Sequence, residues 1–182
     1  MQVRQTAVNG LIELIPKVHS DMRGHFFESY NRPLFASLGI PVEFVQDNQS
    51  FSTQGVLRGL HFQSEPFAQG KLVRVITGKV LDVVVDIRPD SATFGQHETF
   101  VLDAALANMV WVPEGFAHGF VALEDSIFSY KCTNVYNKNA EGGLLWNDPD
   151  LGIDWGITNP NVSEKDQILP TFKALFAKVN SQ

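Results

Sequence analysis

The sequence predicts an all-β fold, a sandwich or jelly-roll barrel of short antiparallel strands with a few short helices at its periphery. Short apolar segments recur with turn residues between them, and 14 glycines and nine prolines are spread along the 182 residues. Residues 80–87 alternate as a strand with two unlike faces does. Regular short strands separated by turns are typical of sandwiches and barrels. We expect one domain, residues 1–182.

The strands are predicted from alternation and from the turn residues that end them. Residues 11–15 form a short first strand. Residues 71–77 and 80–87 flank Gly78, which predicts a hairpin. Further strands are predicted over residues 44–48, 99–102, 109–112, 119–123 and 127–133.

Three short helices are predicted from their first residues. Over residues 31–38, Asn31 can cap the helix and Pro33 is tolerated in its first turn. Ser163 opens a capping-box pattern that ends in an acidic residue, and residues 171–179 form a terminal helix. These helices are too short to change the all-β class.

Charge and composition exclude several classes of protein. The 14 Lys and Arg residues against 20 Asp and Glu residues give a net charge of −6 without a basic block, which argues against nucleic-acid binding. A single cysteine, Cys132, excludes an intrachain disulfide and fits a reducing compartment. Because the first ten residues lack an apolar core and no run reaches membrane-spanning length, we expect a soluble cytoplasmic chain that does not bind membranes.

The segment at residues 55–63, Gly-Val-Leu-Arg-Gly-Leu-His-Phe-Gln, places two chemically active side chains in a predicted strand. Arg58 and His61 are three residues apart, so a regular strand would put them on opposite faces. Gly55 and Gly59 can mark bulges that re-aim them. Taken alone, His61 is better explained as a core histidine with a satisfied ring.

Two segments resemble the metal-binding segments of the cupin barrel family. That family uses a His-x-His pair with a glutamate, and a further histidine on a second segment. Here residues 61–63 read His-Phe-Gln, whereas residues 113–118, Pro-Glu-Gly-Phe-Ala-His, resemble the second segment. Two ligands beside Lys71 make a poor site for a divalent ion. The expectation is a metal-free cupin-like barrel with His61 and His118 pointing inward.

Such a pocket suits proton transfer at a carbon next to a carbonyl. The reaction needs a base, a cation or donor for the enolate, and an acid. His61 is the candidate base, Asp166 its orienting partner, Lys71 the enolate stabiliser and Tyr130 the acid. Each also has a structural explanation: Lys71 as a solvated charge, Tyr130 as a core aromatic and Asp166 as the capping-box acid.

Seven motifs occur in order over nearly the whole chain. They are Asp-Met-Arg-Gly at 21–24, Val-Gln-Asp-Asn at 45–48, the segment at 55–63, Gln-Gly-Lys at 69–71, Asp-Val-Val-Val-Asp-Ile-Arg at 82–88, Pro-Glu-Gly-Phe-Ala-His-Gly-Phe at 113–120 and Tyr-Lys-Cys-Thr-Asn at 130–134. Together they resemble the dTDP-4-dehydrorhamnose 3,5-epimerase family.

The resemblance implies that dTDP-4-dehydro-6-deoxy-D-glucose is epimerised at carbons 3 and 5 to dTDP-4-dehydro-L-rhamnose, for cell-surface rhamnose, without metal or redox cofactor and by a homodimer. It implies that His61 is the proton acceptor, Tyr130 the donor, Asp166 the partner of His61 and Lys71 the group facing the ketone oxygen. The positions implied to hold the sugar nucleotide are Arg23, Glu28, Gln46, Asp47, Asn48, Arg58, His118, Glu141 and Lys165. Arginines suit a diphosphate, and Phe26 or Tyr136 is a candidate for stacking near the sugar or thymine.

Some positions need their own explanation. Asp82 and Asp86 lie on the opposite strand face from the apolar residues 81, 83, 85 and 87, and we expect Asp82 to pair with Lys71 inside the barrel. Gln49 stands where relatives often have histidine, and His25 where an apolar residue is common. Neither belongs to the acid–base set.

Two rival functions remain at this stage. Relatives that epimerise one carbon would carry the same catalytic residues, so only product analysis separates them. A metal-free barrel could also be a sugar-nucleotide or small-ligand binding module without turnover. The presence of both His61 and Tyr130 argues against the binding module, since binding alone needs neither a base nor an acid there.

Overall fold

Two antiparallel sheets form most of the molecule in a computed structural model that describes residues 1–40 and 43–177. The strands are β1 (Gln2–Gln5), β2 (Ile12–Ile15), β3 (His19–Asp21), β4 (Gly24–Phe26), β5 (Gln46–Ser52), β6 (Val56–Gln63), β7 (Lys71–Thr77), β8 (Lys79–Asp86), β9 (His97–Asp103), β10 (Met109–Val112), β11 (Phe116–Ala122), β12 (Ser126–Cys132), β13 (Glu141–Gly143) and β14 (Asn161–Val162). Sheet 1 has the strand order β1-β2-β10-β7-β12-β5, and sheet 2 the order β13-β6-β11-β8-β9, with β14 parallel to β6. The strands β3 and β4 form a separate hairpin.

The predicted all-β class is confirmed, and most strands lie where the alternation of apolar and polar residues predicted them. The strand predicted over residues 109–112 coincides with β10, and β2, β9, β11 and β12 overlap their predicted segments. Strand β1 was not predicted, because Gln-Val-Arg-Gln has no apolar alternation and all four residues are exposed.

The predicted hairpin around Gly78 is wrong. Strand β7 pairs with β10 and β12 in sheet 1, whereas β8 pairs with β11 and β9 in sheet 2. The chain therefore crosses from one sheet to the other at Gly78, whose φ is +78°. A Cβ there would collide with the Asp125 carbonyl oxygen, so the crossing needs glycine.

The main core lies between the two sheets. Sheet 1 contributes residues such as Val73 and Phe128, and sheet 2 contributes Val84 and Leu102, all at most 1% exposed. Each such side chain adds about 1.5–3 kcal/mol through burial of apolar surface. The cluster is Val8, Leu11, Val73, Val75, Val80, Val84, Phe100, Leu102, Val110, Val112, Phe116, Phe120 and Phe128.

The two unlike faces predicted for β8 are confirmed. Val80 and Val84 face the core between the sheets, and Val83 and Val85 face a second cluster outside sheet 2. That cluster includes Trp155 from the C-terminal part of the chain. Asp82 lies between Val80 and Val84 on this inner face of β8 and is fully buried.

Three short helices cover the periphery, as predicted. Helix α1 (Arg32–Ser37) begins after Asn31, whose Oδ1 accepts from the Leu34 amide at 3.2 Å. Helix α2 (Glu164–Gln167) follows Ser163, and α3 (Phe172–Phe176) covers part of residues 171–179, of which 178 and 179 lie outside the described residues. Of the helices that the structure describes, none is long and apolar enough to cross a membrane.

Candidate active site

A bulge in β6 puts Arg58 and His61 on one face. Between these two residues β6 advances three positions while the paired strand β11 advances two. Gly59 sits in the bulge with φ +132°, and a Cβ there would lie 2.6 Å from the Gly119 Cα. The predicted bulge at Gly59 is confirmed, and both side chains line the same cavity.

His61 is held by a buried carboxylate from helix α2. Its Nε2 lies 2.7 Å from Oδ1 of Asp166, which is 4% exposed. The other oxygen, Oδ2, accepts from the Gly59 amide at 3.3 Å. Ser163 caps the helix by accepting from the Asp166 backbone amide at 3.1 Å. The Asp166 carboxylate thus points to His61. In a full capping box it would instead accept from the backbone amide of Ser163.

This contact sets the tautomer of the His61 ring. Burial raises the pKa of Asp166, but its hydrogen bond and charge interaction with His61, together with hydrogen bonds from Gly59 and Ser163, outweigh burial and leave the pKa below its ordinary value. An ionised carboxylate only accepts, so the His61 Nε2 carries the proton. In the neutral ring, Nδ1 is then left with a lone pair that can accept a hydrogen bond.

Sheet 1 supplies Lys71 and Tyr130. Lys71 begins β7 opposite Cys132 of β12, and Tyr130 lies two residues before that cysteine on the same strand face. Burial raises the pKa of Tyr130, so its hydroxyl keeps its proton at neutral pH. Burial also lowers the pKa of Lys71, while the nearby groups of Cys132, Asp82 and Glu141 act in the opposite direction.

These groups line a cavity of about 540 Å³ between the sheets. A smaller recess of about 180 Å³ shares His61, Lys71 and Tyr130 with it. The cavity is lined by Ser50, Val56, Leu57, Arg58, His61, Lys71, His118, Gly119, Phe120, Phe128, Tyr130, Asn161, Ser163, Lys165 and Asp166, and the recess adds Gln46, Asn48, Phe62, Gln63, Gln69, Tyr136 and Glu141. The four predicted catalytic residues therefore share one cavity.

Strand β5 divides its predicted residues between two faces. Gln46 and Asn48 face the recess, whereas Asp47 lies on the exposed face. The Asp47 carboxylate accepts from Lys131 Nζ at 3.0 and 2.9 Å. Within this chain Asp47 therefore contacts neither the cavity nor the recess.

The rim carries three of the predicted binding residues. Glu141 Oε2 accepts from the Tyr136 hydroxyl at 3.0 Å and lies 2.7 Å from Lys165 Nζ. The hydrogen bond from Lys165 holds the pKa of Glu141 below its ordinary value. This network joins β13 to helix α2, next to Asp166.

The remaining predicted residue on sheet 2 is His118, which is the observed partner of Asp82. Its Nε2 lies 2.7 Å from Asp82 Oδ1. The expected pairing of Asp82 with Lys71 is wrong, because β8 and β11 are neighbours in sheet 2 while Lys71 lies in the opposite sheet. Adjacent strands are about 4.8 Å apart and packed sheets about 10 Å apart.

Besides Asp47, three predicted residues lie outside both the cavity and the recess. Arg23 and Phe26 belong to the exposed β3–β4 hairpin, with the Phe26 side chain 69% exposed. Arg23 bonds to its neighbour Asp21, and Glu28 follows the hairpin on the surface. Within one chain these side chains do not reach the His61 cavity.

Sequence reasoning missed several cavity residues, including Ser50, Asn161 and Ser163. Ser50 could have been found, because it continues the inward alternation of Gln46 and Asn48 along β5. Asn161 had no such signal, since it reaches the site through the parallel pairing of β14 with β6.

The cupin-like histidines have carboxylate partners. His61 pairs with Asp166 and His118 with Asp82. Within residues 1–40 and 43–177, no three His, Cys, Asp or Glu side chains lie close enough together to hold a metal ion.

The chain matches known proteins over almost its full length. A family model described as dTDP-4-dehydrorhamnose 3,5-epimerase matches residues 5–174. The enzyme of that name from Shigella flexneri is 51% identical over 168 residues, which cover 91% of this chain and 93% of that protein.

Solved structures agree with this match. The dTDP-4-dehydrorhamnose 3,5-epimerase from Elizabethkingia anophelis NUHP1 is 47% identical with a TM-score of 0.91, covering 95% of this chain and 97% of that one. The 3,5-epimerase from Legionella pneumophila Philadelphia 1, crystallised in complex with dTDP-4-keto-L-rhamnose, is 41% identical with a TM-score of 0.93, covering 98% and 96%. The chain belongs to the dTDP-4-dehydrorhamnose 3,5-epimerase family and is an epimerase of dTDP-L-rhamnose biosynthesis.

Proposed function

We propose that the cavity holds the 4-keto sugar of dTDP-4-dehydro-6-deoxy-D-glucose between the two sheets, and that His61 and Tyr130 act on it from opposite sides. The observation that carries this proposal is the His61–Asp166 contact at 2.7 Å on sheet 2, with Tyr130 and Lys71 projecting from sheet 1 into the same cavity. Inversion at carbon requires removal of a proton on one face and delivery on the other. A base and an acid on opposing sheets meet that requirement.

The ketone at carbon 4 makes the C–H bonds at carbons 3 and 5 acidic. His61 Nδ1 takes the proton from each carbon in turn, and the Asp166 carboxylate stabilises the imidazolium that forms. The electron pair of the broken C–H bond moves into the ring and leaves an enolate with its charge on the carbon 4 oxygen. Lys71 lies beside the cavity as the cation that stabilises this oxygen.

Tyr130 completes the inversion by donating its hydroxyl proton to the opposite face of the enolate. Its raised pKa keeps the proton available until the carbanion needs it. Each inversion leaves His61 protonated and Tyr130 ionised. Exchange with water resets both groups before the second carbon reacts and again after it, so solvent hydrogen enters the sugar at each inverted carbon.

The nucleotide needs cations at the rim. Arg58 bonds to Ser52 Oγ at 3.0 Å and to the Phe51 carbonyl at 3.1 Å, which fixes its guanidinium at the cavity edge. Lys165 lies on the same rim. We assign the diphosphate to these cations, because guanidinium and ammonium groups bind phosphate oxygens through charge-assisted hydrogen bonds. Gln46, Asn48, Tyr136, Glu141 and His118 remain the proposed contacts to the sugar and the nucleotide.

We also propose a homodimer in which the β3–β4 hairpin serves the partner's cavity. Arg23, Phe26 and Glu28 are exposed and lie away from the cavity of their own chain. An exposed arginine beside a phenylalanine suits a phosphate and a thymine ring. Contact of Asp47 with substrate likewise requires a second chain, since this side chain faces outward.

Subunit mixing tests this arrangement. His61→Ala and Arg23→Ala are each expected to be impaired, and refolding them together makes heterodimers with one intact site. Random pairing should restore about a quarter of wild-type activity. A monomer in sedimentation equilibrium, or a mixture no better than its components, would refute the exchange of hairpins.

We place the enzyme in the cytoplasm. Cys132 is a free, buried thiol, and no disulfide forms among the described residues. A reducing compartment is compatible with this state. Fractionation of the producing cells, with the enzyme followed by antibody, checks the location.

Proton NMR of dTDP-4-dehydro-6-deoxyglucose in deuterated water tests the catalytic proposal. The wild-type protein should introduce deuterium at carbons 3 and 5 and form the L-rhamno product. His61→Ala should abolish both exchange and product. Tyr130→Phe should slow product formation more than exchange, because the base still removes protons. Exchange at one carbon alone would contradict the two-centre chemistry, and ligand binding without exchange would contradict catalysis.

A further inference from the structure

Asp82 is the feature that the proposed mechanism leaves unexplained. It is fully buried on the inner face of β8, and Oδ1 lies 2.7 Å from His118 Nε2. Its Oδ2 is the one buried side-chain nitrogen or oxygen without a hydrogen-bond partner in the part of the chain that the structure describes. Leaving a buried carboxylate oxygen without a donor costs about 1–3 kcal/mol or more. We therefore expect a function of the Asp82 carboxylate that offsets this loss of stability.

The surroundings of Asp82 indicate what it acts on. Val80 and Val84 flank it on the strand face that looks across to sheet 1. Lys71 projects from sheet 1 into the cavity that His118 also lines, and the charge of Asp82 acts on the lysine. Asp82 itself does not line the cavity.

We propose that Asp82 is a positioning residue for both sides of the cavity, holding the His118 ring through Oδ1 and supplying, from the inner face of β8, a fixed negative charge that acts across the space between the sheets on the Lys71 ammonium. The second part rests on the proposed function, in which Lys71 stabilises the enolate. The first part does not depend on it.

The hydrogen bond determines what His118 presents to a ligand. A carboxylate accepts, so the proton of the ring lies on Nε2 and Nδ1 is an acceptor. Nδ1 has no partner among the described residues. His118 therefore offers the cavity a fixed acceptor, which suits a hydroxyl group of the sugar.

The charge of Asp82 matters because Lys71 loses hydration on burial. An ammonium in a low-dielectric site loses its proton more easily unless anions face it. The ionisable groups around Lys71 are Cys132 and Tyr130 of β12, Asp82 of β8, Glu141 of β13, Arg58 and His61 of β6, His118 of β11, and Asp166 and Lys165 of α2. Of the carboxylates, Asp166 is bonded to His61, and Glu141 to Lys165 and Tyr136. Asp82 retains an unpaired oxygen.

Asp82→Asn tests the proposal, because it keeps the shape and removes the charge. We expect kcat to fall about tenfold and the alkaline limit of kcat to move about one pH unit lower, since Lys71 loses an opposing anion. The shift should act through Lys71, because the charges that act on Tyr130 come from Cys132 and Arg58.

Asp86→Asn is the matched control. Asp86 lies four residues along the same strand face and is also fully buried, but its partners are Arg88, Ser91 and Thr93. This variant should lose stability and keep the wild-type pH profile. If Asp82→Asn keeps the wild-type kcat and alkaline limit, or if both variants shift that limit equally, the proposal is wrong.

A second measurement on the wild-type protein decides the case if Asp82→Asn does not fold. Nitrogen-15 NMR of the His118 ring, assigned with His118→Gln, should show the proton on Nε2 at neutral pH. A proton on Nδ1 would overturn the positioning role. Absence of deuterium exchange in the wild-type protein would instead refute the proposed function, and the ring measurement would still stand.

Discussion

Asp166 and Asp86 are both buried carboxylates, but different donors surround them. Asp166 faces a histidine ring and a backbone amide in the cavity. Asp86 bonds to Arg88, Ser91 and Thr93 outside it. The first arrangement orients a group that can exchange protons, whereas the second holds a turn together.

Asp166→Asn should reduce kcat by about 10²–10⁴-fold with little change in KM. The amide can hold the His61 ring with the wrong nitrogen protonated, and it no longer stabilises the imidazolium. The rate of deuterium entry at carbons 3 and 5 measures the effect.

Glu164→Gln is the control, since Glu164 is an exposed acid in the same helical turn. Its exchange rate should equal that of the wild-type protein. A wild-type kcat in Asp166→Asn would show that the hydrogen bond to His61 is not needed for catalysis.

Asp86 should make stability depend on pH in the acid range. Burial raises its pKa, but the hydrogen bonds from Arg88, Ser91 and Thr93 outweigh burial and lower the pKa from 3.8 to about 2. A lowered carboxyl pKa adds stability above the unfolded value, and this stability is lost as the pH falls from about 4 to about 2. This lowering of the Asp86 pKa corresponds to about 2 kcal/mol of unfolding free energy.

Urea unfolding of wild-type protein and Asp86→Asn checks this expectation. The difference in unfolding free energy should be about 2 kcal/mol at pH 7 and should shrink toward pH 2. A difference that is the same at both pH values would mean that the ionised form of Asp86 makes no special contribution.

At the scale of elements, the bulge in β6 connects a glycine to the geometry of the site. Gly59→Ala should destabilise the fold by about 2–3 kcal/mol, because a left-handed φ and a contact with the β11 backbone act together. It should also reduce kcat by shifting His61 relative to Asp166. Thermal or urea unfolding and the exchange rate measure the two effects.

Gly24→Ala separates backbone strain from crowding. Gly24 has a similar φ of +127°, but a Cβ there would meet nothing within 4 Å. This variant should lose about 1 kcal/mol of stability from strain alone. Equal losses in the two alanine variants would show that the contact between Gly59 and β11 is unimportant.

Strand positions could be predicted from the sequence because alternation is a local property. Strand β10 and the two faces of β8 were found in this way. The pairing partners of the strands could not be predicted, since a glycine between two strands is compatible both with a hairpin and with a crossing between sheets. Only the packing of both strands against the core decides that Gly78 is a crossing.

The residues of the site that belong to sequence motifs could be predicted. His61, Lys71, Tyr130 and Asp166 meet in one cavity, although they come from four elements. Long-range pairings were not predictable, because which of several inward-facing nitrogen groups an aspartate meets depends on the order of the strands in the sheets. Asp82 therefore met His118 where Lys71 was expected.

At the scale of the whole molecule, both outer surfaces of the sheet pair carry a tryptophan. Trp111 belongs to a cluster outside sheet 1 with Phe35 and Ile40, and Trp155 to the cluster outside sheet 2. The core between the sheets joins these clusters. If residues 1–182 form one domain, the two clusters should lose their structure together.

Trp111→Phe and the double variant Trp146→Phe/Trp155→Phe allow the sheets to be followed separately. The first leaves Trp146 and Trp155, which pack in the cluster outside sheet 2, and the second leaves Trp111 in the cluster outside sheet 1. At equal protein concentration, unfolding in urea should give coincident curves by fluorescence and by far-ultraviolet circular dichroism. Leu102→Ala, in the core between the sheets, should lower the unfolding free energy by about 3 kcal/mol in both backgrounds. A shared core transmits the loss of one side chain to both sheets. If the fluorescence and circular dichroism curves separate, or if only one reporter detects the effect of Leu102→Ala, the sheets unfold as two units.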